Sequence, residues 1–348
     1  MIHRKPAKII RSPYTRVLRS VSVAICFSLG VQPALYAQVD EHLNGDAKNS
    51  IGAITYEKYD LETIPVSLVR MNTHGSPYVV VVGKKEQKLY LYEFDGDYHL
   101  VVSFTCATGE NPGVKKTNGD KKTPVGVYFF TGIMERSDLN RMYGRSVAAQ
   151  YGIRAFDTNY PNSIDRLHNR RGYGIWLHGT NEPERAALPY STRGCVVLRN
   201  SDVEFLTPLI DIQETPIIIV EQIDYRPVDE MRREYIGIER LIRGWSSSWS
   251  DRDYETYKSF YASAFRSGGK DLDAWISFKQ QILKKYESIE IEISNLRTFR
   301  ADGYLYVEFH QQFKTDTYGD EGIKKLFLIE EDGQFRILSE EWAELSDN

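Results

Sequence analysis

Short apolar runs separated by turns dominate the chain up to residue 223, and they stop at a change of composition over residues 224–227. Tyr78–Val82 and His99–Phe104 are examples, and Gly, Asp and Lys occur in the turns between such runs. This pattern is typical of strands joined by hairpins. We therefore predict a mainly β domain over residues 76–223, and a chain of 348 residues has room for a second domain after it.

The part after residue 227 has a different order of elements. Residues 228–266 and 272–286 show helical spacing of their apolar side chains, and strand-like segments follow. Helices followed by a meander of strands predict a smaller α+β domain over residues 228–348. The predicted strands are Ile289–Phe299, Tyr304–Thr315, Lys324–Glu330 and Gln334–Trp342.

The sequence also predicts the local structure of three further segments. A short helix is expected near Leu61–Met71, within a lead-in that spans residues 38–75, and another helix is expected over Asn200–Leu209. Residues 132–173 are polar and rich in Tyr, Arg and Asn, and they are interpreted as one long loop. A loop of that length is usually functional or disordered, so its tyrosines are candidates for a lid over a site.

Residues 1–37 have the pattern of a secretory signal. They hold six Lys or Arg and no acidic residue, and the basic part leads into the apolar run Val21–Val31 and then to Ala37. That apolar run is too short to cross a bilayer as a helix, which takes about 20 residues. We predict Sec-type export to the periplasm with cleavage after Ala37 and no stable membrane anchor afterwards. A retained N-terminal anchor is the alternative.

Beyond Ala37 the chain carries 38 basic and 48 acidic residues, a net charge of −10. Such a protein is a poor candidate for non-specific nucleic-acid binding, which needs a basic surface. Its two cysteines, Cys106 and Cys195, belong to no CxxC motif and no spaced Cys/His set, so neither a metal site nor a cofactor is predicted. A disulfide between them stays an open alternative.

Cys195 and His178 form the candidate catalytic pair. His178 ends an apolar segment, and Cys195 begins another one after an intervening loop. A nearby imidazole can activate a thiol by lowering its pKa. Gly194 allows a sharp turn, so the N–H groups of Gly194 and Cys195 are predicted to form an oxyanion site. The Gly179 carbonyl is predicted to orient the imidazole. An inert buried cysteine and a structural histidine are the alternative.

Several short motifs surround this pair in a fixed order. Ser103–Gly109 precedes the Thr-Pro-Val-Gly turn Thr123–Gly126, then His178–Thr180 follows, and Ser191–Cys195 comes after a loop. In this order the motifs resemble the L,D-transpeptidase (YkuD-type) catalytic family, which has an upstream His-Gly pair and then [Ser/Thr]-x-Gly-Cys. The resemblance covers roughly residues 76–222, and it implies an L,D-transpeptidase-like fold for the first domain.

The resemblance also implies a reaction. The Cys195 thiolate would attack the L-centre carbonyl of a diamino acid in a peptidoglycan tetrapeptide stem. D-Ala would leave with a proton from His178, and a thioester would remain. An amine acceptor then gives an L,D-crosslink, whereas water gives a tripeptide. Because both outcomes pass through one acyl-enzyme, L,D-transpeptidase is predicted and L,D-carboxypeptidase stays the alternative.

Arg193 stands where many members of the family have a histidine, two residues before the cysteine. Because Arg can hold a carboxylate through two hydrogen bonds, Arg193 is a candidate substrate-binding residue, together with Ser191 and Tyr160. The alternatives are a surface or loop-bracing role for Arg193, and packing within the loop for Tyr143, Tyr151 and Tyr160.

The aromatic-rich residues 245–261 and the final strands resemble an NTF2-like domain. Aromatic side chains at helical spacing are more often core than ligand contacts, and no catalytic set is expected there. A transpeptidase-like domain followed by an NTF2-like one resembles the cell-shape-determining L,D-carboxypeptidases of curved and helical Gram-negative bacteria.

Other classes of protein fit less well. A non-catalytic wall-binding module with an inert Cys195 stays possible. A sortase has its His and Cys much farther apart and its Arg after the Cys. A papain-like enzyme needs a histidine downstream of the cysteine, where the chain has only His310. The expected partners are therefore peptidoglycan stem peptides, and the sequence carries no indication of the oligomeric state.

Overall fold

The first domain is mostly β, as predicted. The computed structural model describes residues 61–301 and 303–345, so the predicted signal and the lead-in up to residue 60 lie outside the described residues. The strands are β1 (Thr63–Pro65), β2 (Tyr78–Gly83), β3 (Lys88–Phe94), β4 (Tyr98–Thr105), β5 (Gly126–Glu135), β6 (Arg154–Thr158), β7 (Trp176–His178), β8 (Val196–Val197), β9 (Pro216–Val220) and β10 (Tyr225–Pro227). The helices are α1 (Arg136–Ala148), α2 (Ser163–Leu167) and α3 (Asn200–Leu206).

One mixed sheet of eight strands organises this domain, in the order β4-β3-β2-β9-β5-β6-β7-β8. The central strands β2 and β9 are parallel and consist almost entirely of buried Val and Ile, because both faces of the sheet are covered there. At the far edge, the short strands β7 and β8 also run parallel. The end of β7 therefore lies beside β8.

The prediction of a helix near Leu61–Met71 is wrong. The segment forms β1, which pairs with β10, and then turns. Arg70 exchanges two backbone hydrogen bonds with Thr298, at 2.9 and 2.7 Å. Pro65 lacks the N–H that a helix interior needs, and the backbone groups of this segment find partners more than 150 residues away in the chain.

The interpretation of residues 132–173 as one long loop is also wrong. β5 continues to Glu135, and α1, β6 and α2 follow within the segment. α1 begins with a capping box between Glu135 and Asp138, and it buries only Leu139 and Ala148. Most residues of α1 are polar or glycine, so its sequence has the composition of a loop. Its backbone is interrupted at Gly144, where φ is 76°.

The second domain has helices followed by strands, as predicted. A break at residues 251–253 divides the first predicted helical stretch, because Asp253 accepts a hydrogen bond from Thr256 N–H and begins a new helix. The last four strands form an antiparallel sheet in sequence order. The elements are α4 (Val228–Ser250), α5 (Tyr254–Ser259), β11 (Arg266–Ser267), β12 (Lys270–Asp271), α6 (Leu272–Leu283), β13 (Ile289–Ala301), β14 (Tyr304–Thr315), β15 (Gly319–Glu331) and β16 (Gln334–Glu344).

α4 is amphipathic, and its buried side includes Ile238, Ile242, Trp245 and Trp249. This side packs on the antiparallel sheet, so the aromatic residues of α4 belong to the core. Within the described residues, no helix is both long and apolar enough to cross a membrane.

Charged side chains lie inside the second domain. Lys279 is almost fully buried, with its ammonium 3.8 Å from the ring centre of Trp249 and 4.9 Å from that of Trp275. Burial, together with the positive charge of Lys324, lowers the pKa of Lys279 to about 7. Lys324 itself is paired with the buried Glu340 at 2.9 Å. The sequence does not predict the burial of these lysines, because an isolated Lys has no pattern.

The two domains share one hydrophobic core. Phe129 on β5 packs on Tyr306 of β14, with ring centres 5.5 Å apart. The Arg297 guanidinium lies 5.0 Å from the ring centre of Phe129 and donates to the Glu214 carbonyl at 3.0 Å. Arg297 is nearly buried and is also paired with Glu308 of its own domain, which satisfies its charge. The interface is therefore packed and hydrogen-bonded rather than a loose contact.

Candidate active site

The candidate pair lies where β7 and β8 meet. Leu177 is opposite Val196 and His178 is opposite Val197 in this parallel pair, so Cys195 immediately precedes β8. Side chains alternate between the faces of a sheet, which puts Cys195 on the same face as Trp176 and His178. Leu177 and Val196 point the other way, into the main core. The strand register therefore brings the predicted nucleophile and the predicted base together.

His178 is nearly buried, with 3% of its surface exposed. Its Nδ1 lies 2.6 Å from the Gly179 carbonyl, which is the contact expected of an orienting group. Burial lowers the pKa of His178 to about 4; Arg185 adds to the lowering and the Gly179 carbonyl opposes it. A neutral imidazole that donates from Nδ1 has its lone pair on Nε2, so His178 can act as a base at neutral pH.

Neither Cys195, which is partly exposed, nor the buried Cys106 is in a disulfide. The Cys195 Sγ donates to the Gly174 carbonyl at 3.5 Å. Desolvation raises the pKa of Cys195 above its ordinary value, although the Trp176 N–H, Arg185 and Lys115 act to lower it. In the resting site burial of the thiol therefore outweighs the favourable charges, and a lowering of this pKa by His178 stays a prediction.

We expect alkylation of Cys195 by iodoacetamide to accelerate continuously between about pH 5 and pH 10, because only the thiolate reacts and this thiol ionises late. The rate constant can be followed by mass spectrometry of the Cys195 peptide. Cys106 is an internal control, since burial raises the pKa of its thiol to about 12 and it should stay unlabelled. A plateau already reached below neutral pH would contradict a neutral resting pair.

Aromatic side chains from the segment before β7 cover one side of the pair. The Tyr151 ring centre lies 5.0 Å from that of His178 and 5.1 Å from that of Trp176. Tyr143 stacks next to them, 5.6 Å from Tyr151, and is partly exposed. The segment proposed as a lid thus contributes Tyr143 and Tyr151 to the site.

Gly194 is held in a conformation that favours glycine. Its φ is +130°, and a Cβ at this position would lie 2.7 Å from the Lys122 carbonyl oxygen. Its N–H donates to Thr192 Oγ1 at 3.0 Å, and that hydroxyl donates to the Cys195 carbonyl at 2.8 Å. The Gly194 amide is therefore engaged within the turn. Of the two predicted oxyanion donors, this leaves the Cys195 amide as the candidate.

The three predicted substrate contacts have different surroundings. Arg193 is exposed; burial raises the pKa of Tyr151 and the charge of Arg193 opposes that rise, so Arg193 lies near the site. The Ser191 hydroxyl donates to the Leu188 carbonyl at 2.8 Å and braces its own loop. Tyr160 is 5% exposed and donates to the Arg171 carbonyl at 3.3 Å. Its ring packs edge-on against Tyr128, which is a core contact rather than an open binding surface.

The sequence reasoning missed three residues near the pair. Arg185 and Lys115 come from separate loops, and their charges favour ionisation of the Cys195 thiol. Asn200 begins α3, and its Oδ1 accepts from Thr180 N–H at 3.2 Å. A Cβ at Gly179 would lie 2.2 Å from this oxygen, so Asn200 fixes the peptide that orients His178. Nothing in the local sequence links these positions to the motif.

Two other features of the surface lie apart from the pair. Within the described part of the chain, no group of three or more His, Cys, Asp or Glu side chains is arranged to hold a metal ion. A cavity of about 720 Å³ lies between β4 and the start of α4, lined by Arg70, Phe94 and Arg232 among others. None of its lining residues belongs to the candidate site.

Comparisons with known proteins bear on both domains. The profile of the L,D-transpeptidase catalytic domain (YkuD) matches residues 77–219, and that of the Cds6 C-terminal NTF2-like domain matches residues 237–341. The structure of Bd1075 from Bdellovibrio bacteriovorus is 30% identical, with a TM-score of 0.71, over 82% of this chain and 100% of that chain. The chain belongs to the YkuD L,D-transpeptidase family. The resemblance expected from the sequence is confirmed.

Two structures of Pgp2 from Campylobacter jejuni, described as a helical cell shape determining protein, share the fold of both domains. One of them, a point mutant of Pgp2, is 24% identical with a TM-score of 0.66, over 79% of this chain and 94% of that chain. The second structure is 24% identical with a TM-score of 0.63, over 78% and 94%. A comparison with curated protein sequences gave no match.

Proposed function

We propose that this member of the family is an exported cysteine acyl-transfer enzyme that acts on peptidoglycan tetrapeptide stems. Cys195 is the nucleophile and His178 the base. One observation carries the proposal: the β7–β8 register puts both side chains on one face, with His178 Nδ1 fixed by Gly179. An inert structural cysteine has no need of an oriented neutral imidazole on the same sheet face.

The first half of the reaction forms a thioester. As Cys195 Sγ bonds to the carbonyl carbon of the stem, its proton passes to His178 Nε2. The Cys195 N–H stabilises the negative oxygen of the tetrahedral intermediate. The bond from that carbon to the nitrogen of D-Ala then breaks, and the proton moves from His178 to the leaving amine. The carbonyl group stays bound to sulfur.

The second half returns the enzyme to its starting state. An acceptor amine or a water molecule gives a proton to His178 and attacks the thioester carbon, and Cys195 leaves and is protonated again. An amine acceptor yields an L,D-crosslink, which is the transpeptidase activity we propose. Arg193 and the charge of Arg185 support binding of a substrate that carries carboxylates.

L,D-carboxypeptidase activity is the second candidate, with water as the acceptor. It is favoured by the shared two-domain fold with Pgp2, a protein described as determining helical cell shape. Trimming tetrapeptides to tripeptides removes the donors of crosslinks, which offers a chemical route from this site to cell shape. The basic and apolar N-terminal pattern supports a periplasmic location, where the stems are accessible.

The product decides between these reactions. The chain without residues 1–37 is incubated with disaccharide tetrapeptide, and the products are separated and identified by mass spectrometry. A 3–3 linked dimer supports transpeptidation, whereas tripeptide and free D-Ala alone support trimming. No product and no covalent adduct with a thiol-reactive carbapenem would favour the non-catalytic module and would contradict both reactions.

A further inference from the structure

Tyr304 is a residue through which the NTF2-like domain contacts the backbone of β5 in the first domain. It begins β14, is 6% exposed, and its hydroxyl crosses the domain interface. The oxygen accepts from the Val127 N–H at 2.8 Å and from Asn162 Nδ2 at 3.1 Å. A Cβ at Gly126 would lie 3.0 Å from this oxygen. A glycine therefore leaves the space that the hydroxyl occupies.

Asn162 links Tyr304 to the segment that leads to the site. Its Nδ2 also donates to the Val127 carbonyl at 3.1 Å, so Tyr304 and Asn162 together bind both peptide groups of one residue of β5. Its Oδ1 accepts from the Asp165 N–H at 3.0 Å and caps α2. Asp165 is 1% exposed, and its carboxylate accepts in turn from the Asn162 N–H at 3.1 Å.

The same buried carboxylate holds the next turn of the chain. Asp165 accepts from the Tyr128 hydroxyl at 2.9 Å and from Arg170 Nη1 at 3.2 Å. Its backbone carbonyl also accepts from the Arg170 N–H at 2.8 Å, and the Arg171 N–H then donates to the Lys116 carbonyl at 2.8 Å. Residues 162–171 are thereby fixed to β5 at one end and to the 109–123 loop at the other.

The far end of this segment touches Cys195. The Gly174 carbonyl accepts from Cys195 Sγ, and the Ile175 side chain fills the space beside Gly194, where a Cβ would lie 3.2 Å from it. Ile175 leads directly into β7 and therefore to His178. The position of the segment sets the surroundings of the thiol and the start of the strand that carries the imidazole.

We propose that Tyr304 is a positioning residue for the reaction at Cys195. It holds the Asn162–Gly174 segment in the position in which the Gly174 carbonyl accepts a hydrogen bond from the Cys195 thiol. This role rests on the proposed function for its effect on turnover, but its effect on the thiol itself needs no substrate. The NTF2-like domain thereby shapes the site even for a substrate that touches only the first domain.

Tyr304→Phe removes the hydroxyl and keeps the ring. We expect kcat on disaccharide tetrapeptide to fall about 10- to 100-fold with KM nearly unchanged, because a small displacement of reacting groups has an effect of that size. The pH profile of Cys195 alkylation by iodoacetamide should shift as well, since the segment that contacts Sγ moves. Both are compared with the wild-type chain lacking residues 1–37.

Tyr306→Phe is the matched control. Tyr306 lies two residues further along β14 and is equally buried, but its hydroxyl bonds to Glu308 within the NTF2-like domain. It should keep kcat and the alkylation profile of the wild type. Thermal melting of both variants separates positioning from stability. Should Tyr304→Phe fail to fold, Asn162→Ser keeps an oxygen to cap α2 and removes the same amide donor.

A loss of kcat and a shifted alkylation profile only in Tyr304→Phe, or in Asn162→Ser, would support the proposal. Wild-type behaviour of that variant, or equal losses in Tyr306→Phe that follow the melting temperature, would overturn it. If the wild-type chain turns over no stem peptide, the proposed function fails, whereas the alkylation profile still decides the role of Tyr304.

Discussion

Replacing Cys195 with alanine is expected to reduce product formation from disaccharide tetrapeptide by at least about 10⁴-fold, since no other group can form the acyl intermediate. Intact-protein mass spectrometry should detect a covalent adduct with a thiol-reactive carbapenem on the wild-type chain and none on the variant. The substitution removes one partly exposed sulfur atom, so the melting temperature should change little.

Cys106→Ala is the matched control for this prediction. Cys106 is buried in the core of the first domain, and its thiol is held protonated by burial. Its variant should keep both the adduct and the turnover, at a modest cost in stability from the lost core contact. Turnover that survives in Cys195→Ala, or is lost in Cys106→Ala without a loss of fold, would contradict the assignment of Cys195.

His178→Asn is expected to reduce kcat by about 10²–10⁴-fold, the usual contribution of a positioned acid–base group. The Asn amide nitrogen lies near the place of Nδ1, so the variant can keep the hydrogen bond to Gly179 while it lacks Nε2. His99→Asn is the control, because His99 is also nearly buried and bonds to Asp95 at 3.0 Å in a hairpin outside the site. That variant should keep the wild-type kcat.

The pH profile gives a second test of His178. Its pKa is lowered to about 4, so the base form is present at neutral pH and is lost only as the pH falls through that value. We expect kcat/KM of the wild type to fall as the pH decreases through about 4. The residual activity of His178→Asn should show no such fall. An acid limb centred near 6.5, the ordinary pKa of histidine, would contradict a buried neutral base.

Strands that are rich in apolar and aromatic residues could be predicted from the sequence, and segments defined by distant partners could not. β14 has the bounds that its pattern predicts, Tyr304–Thr315. The sequence predicts a helix where β1 lies, and it does not show the pairing with β10, about 160 residues away. The sequence predicts a loop where α1 lies, and this helix buries only Leu139 and Ala148. For β1 the decisive contacts are therefore tertiary.

The candidate pair could be found from its motif, and most of its surroundings could not. His178 and Cys195 are recognisable because Gly179 and Gly194 stand beside them in a fixed order. Arg185, Lys115 and Asn200 act on the pair from three separate segments of the chain, and only the fold brings them there. The bond from the Gly194 N–H to Thr192 depends on backbone angles, so the sequence could not show that this amide is engaged.

The core shared by Phe129, Tyr306 and Arg297 has a consequence for how such genes can be rearranged. Cutting the chain after residue 227 would expose an apolar sheet face and leave Glu214 without Arg297. The first domain of this chain therefore cannot be exchanged with that of another chain unless the matching half of the interface is transferred with it. Mutations on the two sides of this interface should therefore occur as compensating pairs, so the two domains evolve as one unit.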